Sequence, residues 1–215
     1  MRAGMSVVLP PVPRRIECLI LDLFGVIVAF DDRLVCDQIA QRCQHPADAF
    51  EKLQNLVSDA SLIRGRTSLE SLREQLHDDF GFEASPQEFA TIWTSSYSEP
   101  MPGIRGLIRQ LHGQCRLVLL SNVDPYYWPT VSASVPELKL FNAQVLSFER
   151  SVAKPEEAAF KAAIAAAKAP VELCYFVDDK PENIAAAASM GLAGHVFESV
   201  VGLKAQLRKL GLHVS

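Results

Sequence analysis

The chain has 215 residues, 49% of them hydrophobic, which is enough to bury one large core and excludes wholesale disorder. Acidic residues number 25 and basic ones 21, and that slightly negative balance gives no reason to expect a nucleic-acid or anionic-membrane surface. No apolar run approaches the roughly 20 residues that a membrane-spanning helix needs. The five cysteines (Cys18, Cys36, Cys43, Cys115, Cys174) are odd in number and show no CxxC spacing. They read as buried free thiols of a reducing cytoplasm, not as a disulfide frame or a zinc site.

The start, "MRAGMSVVLPPVPRR", lacks the apolar stretch of a signal peptide, and its prolines predict an extended leader over residues 1–13. Residues 16–22, "IECLILD", form the first strand-like run. It stops on Asp22 and continues as Leu23-Phe24-Gly25. Residues 31–102 carry helical patterning and no strand-like run. "DDRLVCDQIAQRC" and "PADAFEKLQNLV" predict two helices, and Cys36 and Cys43, seven apart, would share a face of the first. "TSLE" (67–70) and "SPQE" (85–88) are capping-box sequences, with Thr67 or Ser85 as N-cap and Glu70 or Glu88 reaching back. "EPMPG" (99–103) is the return linker.

Beyond it, helices are expected at 104–112, 155–168, 181–190 and 199–210. They alternate with apolar runs "CRLVLLSN" (115–122), "AQVLSF" (143–148), "LCYFVDD" (173–179) and a weaker "AGHVFES" (193–199). The runs at 16–22, 115–122 and 173–179 are nearly unbroken, the pattern of parallel strands covered on both faces. The expected fold is therefore α/β: a doubly wound parallel sheet from residues 14–30 and 103–215, with a small helical insertion, 31–102, after the first strand.

In such sheets ligands bind beyond the carboxyl ends of the strands. The residues closing the runs are Asp22, Ser121-Asn122 and Asp178-Asp179, the last pair followed by "KPEN" with Asn183. Lys154 stands in "VAKPEEAAF", before a proline expected to open a helix. Taken singly, each has a plainer reading: a strand-ending Asp caps turns, Ser-Asn is a common turn pair, and a lysine before proline is usually a solvated loop residue. Two adjacent acids repel unless a cation is near or one is protonated. If the strands are neighbours, three carboxylates, a hydroxyl and an ammonium meet on one edge.

"LILDLFGVIV", "LVLLSN", "AKPE" and "YFVDDKPEN", in this order and with helices between the first two, resemble the haloacid dehalogenase-like hydrolases. The chain is most similar to the subgroup of small sugar-1-phosphate-type phosphatases with a helical cap. That resemblance implies a Rossmann-like core and a magnesium-dependent hydrolysis of a small phosphorylated metabolite through an aspartyl phosphate on Asp22. It assigns magnesium to Asp22, the carbonyl of Phe24 and Asp179, with Asp178 and Asn183 behind them. It assigns phosphate contacts to Ser121, Lys154 and the N–H groups near Leu23 and Asn122. It implies a monomer or homodimer in the cytoplasm, with no nucleic-acid or membrane partner.

One departure from the family pattern stands at Phe24, where most of its phosphatases carry a second Asp as general acid and base. Three explanations stay open. Another group or an undemanding leaving group replaces the acid; the protein binds phosphometabolites without turnover; or it is a metal-independent 2-haloacid dehalogenase, whose relatives carry an aromatic there. Paired acids at 178 and 179 oppose the last. Substrate choice is expected from the insertion and from the loop after Ser121. Tyr126, Tyr127 and Trp128 either line that pocket or pack a helix. Asp31 and Asp32 either face the site or cap a helix. Arg64 and Arg66 either meet a second anion or stay solvated. The five histidines show no ligand spacing.

Overall fold

The computed structural model describes residues 10–46, 49–50, 53, 60–95 and 97–215. Strand β1 (Cys18–Leu21) leads through a short strand β2 (Val28–Phe30) into helices α1 (Asp32–Ala40), α2 (Ala60–Ile63), α3 (Leu69–Phe80) and α4 (Pro86–Thr94). Strand β3 (Tyr97–Pro100) brings the chain back. Then follow α5 (Ile104–Leu111), β4 (Arg116–Ser121), α6 (Trp128–Ser134), β5 (Ala143–Leu146), α7 (Ser147–Arg150) and α8 (Glu157–Ala167). The chain closes with β6 (Cys174–Asp178), α9 (Pro181–Ser189), β7 (Ala193–Val196) and α10 (Val200–Lys209).

The five parallel strands of the main sheet lie in the order β5-β4-β1-β6-β7. The three unbroken apolar runs take its centre, where both faces are covered; the two weaker runs take its edges. Side chains alternate between two cores, as a strand's two-residue period requires. Leu19 and Leu21 point to one face, with Leu107 and Leu111 of α5 and Leu203 and Leu207 of α10. Cys18 and Ile20 point to the other, with Phe160 and Ala163 of α8 and Ile184 and Ala187 of α9. Helices on both faces make the sheet doubly wound.

The insertion departs from expectation in one respect: residues 97–100 are a strand, not part of a helical stretch. β3 pairs antiparallel with β2, Val28 opposite Pro100 and Phe30 opposite Tyr97, so the chain leaves and re-enters the core side by side. "YSEP" has no apolar alternation, and its proline sits at the strand's end, where no donor is needed. At α3 the cap is Ser68 rather than Thr67. Ser68 Oγ accepts from Ser71 N at 2.9 Å, while Thr67 Oγ1 donates to Ser61 and Glu70 pairs with Arg73. At α4 the capping box forms as read, Ser85 with Glu88, with Pro86 in the first turn. α1 ends at Ala40, so Cys43 lies beyond it rather than on a shared face with Cys36; both are buried. All five cysteines are free, and Cys115 is the one not fully buried. The helix expected at 46–57 and the leader at 1–9 fall largely or wholly outside the described residues. Among the described residues no helix is long and apolar enough to cross a membrane.

Candidate active site

β1 is central, and the chain passes from one side of it to the other between β5 and β6. At such a switch point the carboxyl ends of the strands open a crevice. Asp22 follows β1 and is held there by its own N–H, which donates to Val177 O at 2.9 Å. Ser121 ends β4, and Asp178 ends β6 with Asp179 next. Lys154 arrives on the loop after α7. Pro155 does not open a helix; α8 starts two residues later, at Glu157.

The structure brings these residues together. Lys154 Nζ lies 2.6 Å from Asp22 Oδ1 and 2.7 Å from Asp178 Oδ2, and all three side chains are buried. Asp178 Oδ1 accepts from Lys180 N and from Asn183 Nδ2, each at 2.9 Å. Both of its oxygens are thus engaged, and it holds the lysine from behind. Burial pulls the ammonium's pKa down, but the two carboxylates together outweigh it and Lys154 stays cationic. Asp178 sits below the usual carboxylate range: burial raises it, and the charge and hydrogen bonds of Lys154, Asn183 and Lys180 more than reverse that. Asp22 is pushed up to about 7 by burial, with Lys154 opposing and Asp178 adding to the push. Burial and then Asp178 also raise Asp179.

Asp22, Asp178 and Asp179 offer carboxylate oxygens all within 4.8 Å of one another, the one cluster among the described residues able to hold a metal. Its donors are hard oxygens, the set that magnesium prefers. Three acids face one buried ammonium, so a divalent cation would relieve their repulsion. Asp179 Oδ1 and Ser121 Oγ are buried without a hydrogen-bond partner. A native chain rarely leaves such atoms unmet unless water, an ion or a ligand meets them. The residues present therefore fit a magnesium ion beside Asp22 and Asp179 and a phosphate oxygen at Ser121.

One assignment changes. Leu23 N–H, expected on a phosphate oxygen, donates to Asp22 Oδ1 at 2.7 Å. It steadies the carboxylate instead. Asn122, whose backbone N–H is the group expected on phosphate, turns its side chain to the backbone of Lys154: Nδ2 donates to Lys154 O at 2.9 Å and Oδ1 accepts from Lys154 N at 2.8 Å. It is a positioning residue for the lysine. Gly25 has φ of +78°, and a Cβ there would lie 2.4 Å from Asp179 Cγ. Glycine is required both for the turn and for the closeness of β1 to Asp179.

A cavity of about 350 Å³ opens over these groups. Its aromatic and aliphatic lining is Phe24, Phe30, Val35, Ile63, Trp93 and Tyr127. Tyr127 does line the pocket; Tyr126 is exposed, and Trp128 packs on the core. Asp31 is the N-cap of α1, accepting from Arg33 N, and Arg64 pairs with Glu156. Sequence reading missed Trp93 and Asp124, which meet across the cavity with Trp93 Nε1 donating to Asp124 Oδ2 at 3.2 Å. A lone Trp in an amphipathic helix and an Asp before Pro carry no signal of that contact.

The family model of haloacid dehalogenase-like hydrolases matches residues 16–191. The chain belongs to this family. Among solved structures, a haloacid dehalogenase family enzyme from Bacteroides thetaiotaomicron, in complex with magnesium and inorganic phosphate, is similar with a TM-score of 0.74 at 22% identity. The match covers 86% of this chain and 96% of that one. A predicted haloacid dehalogenase-like hydrolase from Porphyromonas gingivalis gives 0.74 at 24%, over 90% and 98%. The L-2-haloacid dehalogenase of Xanthobacter autotrophicus gives 0.62 at 17%, over 90% and 82%. At these identities the likeness speaks for the fold of the hydrolase. No curated protein matches the chain.

Proposed function

We infer that this hydrolase cleaves phosphate monoesters, with magnesium as cofactor and Asp22 as nucleophile. The observation that carries the reading is the meeting of Asp22, Asp178 and Asp179 around one buried lysine at the carboxyl edge of the sheet. A structural neighbour that holds magnesium and phosphate supports it. Asp22, the carbonyl of Phe24 and Asp179 would hold the ion, which supplies positive charge between two anions that would otherwise repel.

The contacts of Asp22 with Lys154 and Leu23 both fall on Oδ1, so Oδ2 is the attacking oxygen. It forms a bond to phosphorus as the ester oxygen leaves with its electron pair, and water then cleaves the aspartyl phosphate. Splitting the displacement in two is the gain of covalent catalysis. Lys154 fixes the angle of the carboxylate and stabilises charge on the transferring group, at full strength because it is dry. Ser121 donates its hydroxyl to a phosphate oxygen. Asp178, Asn183 and Asn122 keep Lys154 in place. The helical insertion acts as a cap that excludes water from the attack.

Borohydride reduces an acyl phosphate, so quenching a magnesium-containing reaction should leave homoserine at position 22. Phosphate release with position 22 unmodified in the quenched peptide would remove Asp22 from the mechanism. Phe24 supports a second reading, dehalogenation, because halide needs no proton to leave. Chloride release from 2-chloropropionate in EDTA would favour it, but an unneutralised acid cluster beside the nucleophile opposes it.

A further inference from the structure

The cavity has two chemically different ends. At the sheet end lie the charged groups described above. The rest of the lining is largely aromatic or aliphatic: Phe24 and Phe30 from the segment after β1, Tyr127 from the loop after β4, and Val35, Ile63 and Trp93 from the insertion. Phe24, Phe30 and Tyr127 form a contiguous cluster, with ring centroids 4.8 Å apart for Phe24–Phe30, 5.7 Å for Phe24–Tyr127 and 6.1 Å for Phe30–Tyr127. Phe30 remains 40% exposed, so an apolar face is open to a ligand.

Asn122 and Asp124, the polar side chains of the loop after β4 that line the cavity, already have hydrogen-bond partners. Asn122 is engaged at both ends by Lys154. Asp124 accepts from the N–H groups of Tyr126 and Tyr127 on Oδ1 and from Trp93 on Oδ2. A hydroxyl-rich leaving group buried there would lose its water without finding partners. An anionic one would meet the Asp124 carboxylate, and among the described lining residues the cations are Lys154 and Lys180, both beside the acid cluster.

A second consideration concerns the leaving group's proton. Position 24, beside the nucleophile, holds a phenyl ring and offers no acid. A phenolate, whose conjugate acid has a pKa of about 10, departs unprotonated far more readily than the much more basic alkoxide of an alkyl ester. The aromatic walls and the absence of an acid at position 24 point to the same chemistry.

We propose that the substrate is a phosphate monoester of a phenol, its ring seated against Phe24, Phe30 and Tyr127. This rests on the phosphatase reading and names its substrate class. Asp22 Oδ2 bonds to phosphorus, the P–O(aryl) bond breaks, and the electron pair leaves on the phenolate oxygen, which takes its proton from solvent. Water then releases inorganic phosphate and restores the carboxylate. A sugar phosphate, which the sequence resemblance would suggest, fits the charged end equally well but matches the aromatic end less well.

The test compares 2-naphthyl phosphate, hexyl phosphate and glucose 6-phosphate with magnesium, and adds a series of substituted phenyl phosphates. The expected result is kcat/KM for 2-naphthyl phosphate at least about 100-fold above that for glucose 6-phosphate. Rates should fall steeply as the phenol's pKa rises, and Phe30→Ala should raise KM for the naphthyl ester about tenfold. Equal or better turnover of the sugar ester, or no dependence on leaving-group pKa, overturns the proposal and leaves the phosphatase reading standing. If no ester turns over, the phosphatase reading itself fails. The slot is then judged by calorimetry on Asp22→Asn: tenfold tighter binding of 2-naphthyl phosphate than of glucose 6-phosphate supports it, and equal binding overturns it.

Discussion

Gly25 shows how one backbone position sets the chemistry. Its positive φ and the 2.4 Å approach of Asp179 to an added Cβ leave room for no side chain. Gly25→Ala should therefore cost about 1–3 kcal/mol of stability and lower turnover by about 100-fold, because Asp179 must retreat from Asp22. Urea unfolding and phosphate release check the two effects separately. Asn122 acts one step further out. Removing its two bonds to the backbone of Lys154 should free the ammonium to drift from Asp22. Asn122→Ala is expected to reduce kcat about tenfold or more with KM nearly unchanged. At this scale Asp22, Ser121 and Asp179 were legible from the residues that close the apolar runs, and Lys154 from the motif "AKPE" in its place between them. The roles of Leu23 and Asn122 were not, because they depend on where single donors point. Two residues apart in type can share a turn, yet only coordinates say which of them faces a neighbour's backbone.

Among the elements, the sheet was legible and the ribbon at its border was not. Long apolar runs are dictated by burial on both faces, whereas β2 and β3, of three and four residues, are too short to show a period. A different element contact governs acid stability. Glu137, between α6 and β5, accepts from Arg105 of α5 at 2.7 Å and pairs also with Arg109. Arg105 foremost, against a smaller desolvation, holds its carboxyl below the usual value of 4.5. The folded chain thus binds that proton more weakly than the unfolded chain. Its stabilising contribution is complete above about pH 4.5 and drains away as pH falls through the lower folded value. Glu137→Gln should be less stable than wild type at pH 7, by about 1 kcal/mol since both arginines are half exposed. The gap should close as pH drops below 4; urea midpoints taken across that range check it. A gap that widened toward acid would contradict the assignment.

The whole molecule divides labour between its two parts. A parallel sheet fixes the charged groups, and the insertion adds Val35, Ile63 and Trp93 to a cavity lining that the core itself begins with Phe24, Phe30 and Tyr127. Contacts tie the two together: Trp93 to Asp124, Arg64 to Glu156, and Ser147 to the carbonyl of Ile63. That the sheet is parallel and doubly wound follows from sequence because burial and crossover handedness leave few alternatives, while its strand order comes from the structure. The lining of the cavity does not, since it depends on how α1, α2 and α4 settle over the sheet. Asp22 as nucleophile beside a magnesium ion is the claim on which the rest stands. The measurement that tests it most directly is phosphate release from phenyl phosphate by wild type and Asp22→Asn, each with magnesium and with EDTA. Turnover should occur in wild type with magnesium alone and fall by about 10³-fold or more in each of the other three reactions. Undiminished release by Asp22→Asn, or by wild type in EDTA, would contradict the account.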